Sequence, residues 1–175
     1  MLDEPADYAR VVRWCNQPHV REWWDPDDPP MTLERAVSEC RPAITGAEPD
    51  QLCIIEVDGT AVGFVQFSAW AHWQSELDAM ELSVPPGSWS LDIYIGEPDW
   101  VNRGLGTRVV RLVCDHVFST EKATAVAFGV EVDNLRAQRA YLKAGMRPTV
   151  RFRDLDTRGG ERVWCVLMVR DARAA

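Results

Sequence analysis

The residues best suited to chemistry lie in Trp100-Val101-Asn102-Arg103-Gly104-Leu105-Gly106-Thr107, followed by Arg108. An alternating run, Trp89 to Ile95, leads into this stretch, and a helical pattern leaves it from about Gly104. The first N–H groups of a helix have no intrahelical partners, and the helix dipole adds partial positive charge there. Gly104 and Gly106 carry no side chains, so an anion can come close to the main chain. Arg103 and Arg108 add full charges. The expected chemistry is the cradling of a pyrophosphate. Two better-known phosphate loops do not fit: G-x-x-x-x-G-K-[ST] is absent, and G-x-G-x-x-G fails at Val109. What remains is x-x-x-G-x-G/A, a pattern that a simple tight turn also satisfies.

Upstream stands Asp92. In the strand Trp89 to Ile95, Trp89, Leu91, Ile93 and Ile95 share one face, and Ser90, Asp92 and Tyr94 share the other. A charge in mid-strand is costly without a purpose, so Asp92 is a candidate for holding or deprotonating a cation; a sheet salt bridge is the alternative. Trp23, Trp24 and Asp25 sit in a segment broken by Pro18, Pro26, Pro29 and Pro30, which reads as a loop. Its tryptophans are either a lid on the core or an aromatic wall of a ligand site. Residues 71–88 break the pattern again and carry His72, Trp73, Glu76, Asp78 and Glu81. That loop is long enough for function, and a solvated charged loop is the other reading.

The elements that must position these residues follow in order. Asp3 and Pro5 open a helix with Tyr8, Val11, Val12 and Cys15 inward. Thr32 caps a second, with Leu33, Ala36, Val37 and Cys40 inward. Gln51 to Val57 and Ala61 to Trp70 form a hairpin about Asp58-Gly59. After the glycine turn, the helix to about Ser119 puts Leu105, Val109, Leu112, Val113 and His116 on one side. Ala123 to Val130 is a buried strand. Asp133 or Asn134 caps the last helix, with Leu135, Tyr141 and Ala144 inward and Gly145 as its stop. Met146 to Leu155 and Arg162 to Val169 are strands joined at Arg158-Gly159-Gly160. The whole is a mixed α/β (α+β) domain, one domain over residues 1–175, with a largely antiparallel sheet and one strand–helix–strand crossover.

Bulk properties narrow the field. The chain has 175 residues, 46% hydrophobic and 26% charged, enough for one ordinary core. No apolar run approaches the ~20 residues that span a bilayer, and the N-terminal residues do not read as a secretory signal. The expected location is the cytoplasm, without a membrane partner. The five cysteines lack C-x-x-C spacing and the three histidines lie far apart, so free thiols and no metal site are expected. A net charge of −8 argues against nucleic acid. It suits a cationic small molecule as well as plain solubility.

The turn does not stand alone. Val130-Glu131-Val132-Asp133-Asn134-Leu135-Arg136-Ala137 and Ala140-Tyr141-Leu142-Lys143-Ala144-Gly145 follow it at the spacing of the GCN5-related N-acetyltransferase superfamily. The resemblance covers nearly the whole chain. It implies a sheet with splayed parallel strands at its centre, Trp89 to Ile95 and Ala123 to Val130, with acetyl-CoA between them. The implied cofactor contacts are Ile93, Tyr94, Ile95, the stretch Val101, Asn102, Arg103, Gly104, Leu105, Gly106, Thr107 and Arg108, then Asn134, Ala137, Tyr141 and Lys143. Within the superfamily the chain looks most like the aminoglycoside 6′-N-acetyltransferases, on Trp14-Cys15-Asn16, His19, Glu22-Trp23-Trp24 and Leu91 to Glu97. Val101 replaces the usual Gln or Arg of the first motif position, and Glu131-Val132 replaces an acidic-proline pair.

The implied reaction is direct attack of an aminoglycoside amine, the 6′-amine, on acetyl-CoA in a ternary complex. The ammonium must lose a proton, and the departing thiolate gains from a donor. Asp92 is the candidate for the amine and Tyr141 for the sulfur; Tyr141 also reads as a core tyrosine. Trp23, Trp24, Asp25, Trp73, Glu76, Asp78, Glu81, Asp92, Glu131 and Asp154 are the candidate contacts to a polycation. The expected state is monomer or homodimer. Siderophore-type or other small-amine acyltransferases of the same fold, and a non-catalytic acyl-CoA-binding module, are the rival readings.

Overall fold

The computed structural model describes residues 1–172. The chain runs α1 (Pro5–Cys15), α2 (Pro18–Arg21), α3 (Leu33–Ile44), β1 (Gln51–Val57), β2 (Thr60–Ala69), α4 (Gln74–Ala79), β3 (Ser88–Ile95), α5 (Leu105–Ser119), β4 (Ala125–Glu131), α6 (Leu135–Lys143), β5 (Arg147–Arg158) and β6 (Glu161–Asp171). Six strands form one mixed sheet in the order β1-β2-β3-β4-β6-β5. The β1–β2, β4–β6 and β5–β6 pairs are antiparallel and β3–β4 is parallel. This is the α+β architecture expected from the sequence. The chain divides into two compact units, Met1–Phe67 with Asp92–Leu105, and Ser68–Leu91 with Gly106 onward. No helix among the described residues is long and apolar enough to cross a membrane.

In the first unit, α1 and α3 pack around Tyr8, Val11, Trp14, Cys15, Ala36 and Cys40, together with Phe64 of β2 and Tyr94 of β3. Trp14 is fully buried, a side chain whose removal costs about 3–5 kcal/mol. Asp58 and Gly59, at φ 49 and 76, make the expected hairpin turn between β1 and β2. Two expectations fail here. Asp3 does not cap α1: the cap position is Glu4, and Asp3 instead accepts from the Tyr8 hydroxyl at 2.5 Å. The reach back to the chain start is made by Asp7, whose carboxylate accepts from the Leu2 N–H at 2.7 Å. Leu33 is 55% exposed, because the first residue of α3 precedes the buried turn.

In the second unit, α5 buries Val109, Val110, Val113, Cys114 and Val117. Leu112 and His116, expected inside, face solvent. The helix carries more apolar residues than one face holds, so packing selects among stripes that periodicity leaves equivalent. Leu135 of α6 is likewise exposed at 54%, while Ala144 is buried. Residues 71–88 contain one short helix, α4, whose Leu77 joins Met80, Leu82, Ala127, Phe152 and Leu167 in a second core cluster. An isolated helix this short is not stable; burial of Leu77 holds it, which local pattern cannot reveal. The cysteines are free thiols, Cys53 half-buried and the others buried.

Candidate functional site

The glycine turn is built from β3 outward. The C-terminal end of β3 is tied down by five contacts within the first unit. The Ile95 carbonyl bonds His19 Nε2 at 2.9 Å. The N–H groups of Gly96 and Glu97 donate to the Val62 carbonyl at 2.9 and 3.1 Å. The Glu97 carboxylate accepts from the Trp14 indole at 2.8 Å and from Arg13. These donors hold its carboxyl below the usual carboxylate range, the Trp14 bond being the largest cause. Gly96 lies flat on Trp14: a Cβ there would fall 2.0 Å from the ring. Only glycine permits that packing.

A short 3₁₀ turn, Pro98–Trp100, then leads to residues 101–104. Asn102 and Gly104 have φ of 63 and 77, which turns the chain sharply before α5. A Cβ at Gly104 or Gly106 would meet nothing within 4 Å, so the main chain there is open to an approaching group. The first turn of α5 holds no acidic residue. Arg103 and Arg108 are exposed, and the Arg103 guanidinium lies over the Trp100 ring at 5.2 Å. Unobstructed main chain, a helix start and two arginines suit a diphosphate, and the residues of this turn fit the acetyl-CoA expected from the sequence. Leu105 is buried, and the Thr107 hydroxyl donates to the Ala140 carbonyl at 3.0 Å, so both side chains are engaged within the fold. The role of Trp100 as a platform for Arg103 was not read from the sequence; an aromatic three residues before an arginine was its only signal.

Asn134 resolves one open point. Its side chain accepts from the Ala137 N–H at 3.0 Å and is the cap of α6. Tyr141 of α6 is half-buried, edge-on to Phe128 of β4 with ring centroids 4.9 Å apart. Lys143 lends its carbonyl to Arg111 of α5. Asp92 is exposed on β3 and accepts from Gln66 Nε2 of β2 at 3.1 Å. Gln66 was missed. Its signal was the same as that of Asp92, a polar residue inside an apolar strand run. Ile93 and Ile95 are half-buried. The Tyr94 side chain is committed to the core, stacked on Phe64 and bonded by Cys15. Burial pushes its hydroxyl well above the usual value.

The remaining candidates are given varied tasks. Trp24 packs edge-on against Tyr94, 4.8 Å between centroids, which is the core-lid reading; Trp23 is half-buried. Asp25 lies 3.7 Å from Arg35, which also pairs with Asp28 and Glu39 and so clamps the loop to α3. Burial first, then the neighbouring Asp28, raises the Asp25 carboxyl. In the second unit, Trp73 donates to Ser68 Oγ at 2.9 Å, Asp78 accepts from Gln74, and Glu76 and Glu81 lie on and just after α4. Glu131 is held by Arg158 at 2.9 Å. Asp154 comes near β4, its Oδ2 lying 3.1 Å from where a Gly129 Cβ would be. Burial, then Asp154, pushes up the Cys165 thiol beside it. Glu131 and Asp154 thus converge about β4, whereas Asp25 is drawn toward α3.

A family model described as an acetyltransferase (GNAT) domain matches residues 3–153. The aminoglycoside N(6′)-acetyltransferase type 1 of Klebsiella pneumoniae is 28% identical over 144 residues, 79% of this chain and 68% of that protein. Among solved structures, AAC(6′)-Ib in complex with ribostamycin and coenzyme A superposes with a TM-score of 0.81 at 24% identity, covering 98% of this chain and 91% of that one. Spermidine N-acetyltransferase from Vibrio cholerae, in complex with CoA and spermine, gives 0.73 at 14% identity over 98% and 93%. At these identities the structural likeness is one of fold. The family match spans the turn, β4 and α6 alike, and the chain belongs to the GNAT acetyltransferase family.

Proposed function

We propose that this protein transfers the acetyl group of acetyl-CoA to the 6′-amine of an aminoglycoside by direct attack in a ternary complex. The observation that carries the reading is an exposed Asp92, steadied by Gln66, on the strand that leads into an anion-binding turn. The sequence relationship to an aminoglycoside N(6′)-acetyltransferase supports the acceptor class.

The turn from Val101 to Arg108 binds the diphosphate through its amides and arginines. Main-chain N–H groups of β3 polarise the thioester carbonyl, as an oxyanion hole does. Asp92 orients the substrate ammonium and takes its proton, directly or through water, a carboxylate being a weak proton acceptor from an ammonium. The amine lone pair forms the C–N bond, the nitrogen gives its second proton to solvent as the C–S bond breaks, and Tyr141 supplies a proton to the leaving thiolate and regains one from solvent. Asp154 carries negative charge for the other ammonium groups of a polycation, and Glu131 contacts them only in exchange for its pairing with Arg158.

Thiol release with acetyl-CoA and aminoglycosides with and without a 6′-amine tests this. Turnover is expected only where the 6′-amine is present. Equal turnover without it refutes the regiochemistry. Turnover of polyamines alone, with no aminoglycoside accepted, refutes the acceptor class.

A further inference from the structure

The parallel ladder between β3 and β4 consists of Ser88–Ala125 and Trp89–Val126. Its stopping point has a physical agent. On the other edge of β4, the Thr124 carbonyl accepts from Ala172 and the Val132 N–H donates to Trp164, so even-numbered β4 residues bond β6. Residues alternate along a strand, so Ala125 and Ala127 turn their N–H and C=O toward β3. Continuing the parallel register by one step, the Ala127 carbonyl would accept from the Leu91 N–H. It does not wait for that partner: the Trp70 indole Nε1–H donates to it at 2.6 Å. Trp70 lies just after β2, half-buried against the cluster that holds Ala125, Ala127 and Phe152. Alanines at 125 and 127 keep the β4 surface low enough for the indole to lie over it.

We propose that Trp70 is a positioning residue that ends the β3–β4 ladder. By taking the place of the Leu91 amide on the Ala127 carbonyl, its indole prevents the strands from zipping further and leaves the Leu91 N–H directed at the bound acyl chain. The assignment to acyl-CoA rests on the function proposed above; the strand-terminating role does not.

The test is Trp70→Phe, which keeps the ring and removes the donor. Amide hydrogen exchange without ligand should show Leu91 exchanging fast in the wild type and becoming protected in the variant. Affinity for acetyl-CoA, by calorimetry, should fall about tenfold, the scale of one lost hydrogen bond. Affinity for adenosine 3′,5′-bisphosphate, which lacks the pantetheine arm, should not change. A variant damaged only in its fold would lose both ligands alike, and that result overturns the proposal. So does unchanged exchange at Leu91. If wild type binds no acetyl-CoA, the acyl-CoA assignment fails while the exchange arm still decides the strand-terminating role. Should the variant fail to fold, the wild-type Trp70 indole N–H decides: slow exchange supports the bond, and exchange at the rate of a solvated indole refutes it.

Discussion

Gly106→Ala should make the free protein more stable and the liganded protein less so. Gly106 is the second residue of α5, and an added Cβ meets no atom within 4 Å. Alanine in a helix is favoured over glycine by about 0.5–1 kcal/mol, because the unfolded chain loses freedom and nothing in the fold is disturbed. For a chain this long that is roughly +1 to +4 °C in melting temperature. On the proposed placement of acetyl-CoA, a diphosphate oxygen comes within ~3 Å of an amide on the face that this methyl would occupy. Losing one charge-assisted hydrogen bond costs about 1.5–3 kcal/mol, at least tenfold in affinity. At a concentration of acetyl-CoA one hundred times the wild-type Kd, the wild type gains ~2.7 kcal/mol and a variant weakened tenfold gains ~1.4. The deficit of about 1.3 kcal/mol exceeds the helix gain, so the order of melting temperatures reverses. Thermal unfolding with and without acetyl-CoA reads both halves. A variant that stays the more stable at saturating ligand refutes the placement of the diphosphate. One that is less stable without ligand refutes the open space at Gly106.

Asp92→Asn should lower kcat by ~10²–10⁴, the usual range for a lost acid–base group, and leave the Kd for acetyl-CoA unchanged; a wild-type kcat removes Asp92 from the chemistry. Gly96→Ala drives a methyl to 2.0 Å from the Trp14 ring and should cost about 1–3 kcal/mol or more in urea unfolding; a wild-type midpoint contradicts the packing described. Glu97→Gln should destabilise near neutral pH. The folded-state pKa of Glu97 is lowered, so its contribution is present above the ordinary carboxylate value and lost as pH falls through the folded value. The gap between wild type and variant should therefore close below about pH 4; a gap of constant size refutes the pairing with Trp14 and Arg13.

The elements were legible where local chemistry decides them. Asp58-Gly59 made the turn it spells, Thr32 capped α3, and Gly145, at φ 90, ended α6. Faces were less legible. Val109 to Val117 offers apolar residues on more than one side of α5, and Leu112 lost the contest to Val110 and Cys114 only through tertiary packing. The short α4 needed Leu77 buried in a cluster drawn from β4, β5 and β6, and no window of sequence contains that information.

The same division separates the parts of the candidate site. The turn was readable because its signal is backbone conformation: Gly104 at φ 77 and the unobstructed main chain at Gly106 follow from missing side chains. Acidic residues carry no comparable local signal, because a carboxylate's task depends on which cation folding brings to it. Asp25 meets Arg35, Glu131 meets Arg158, and Asp92 meets the neutral Gln66. A neutral amide steadies a carboxylate without cancelling its charge, whereas an arginine both steadies and neutralises it. The contact of Asp92 with Gln66 is thus of a different kind from the arginine pairings of Asp25 and Glu131. The amide of Gln66 then matters as much as the acid: Gln66→Arg should raise the Michaelis constant of a cationic acceptor while leaving that of acetyl-CoA in place, and an unchanged acceptor constant would show that the charge at Asp92 does not hold the amine.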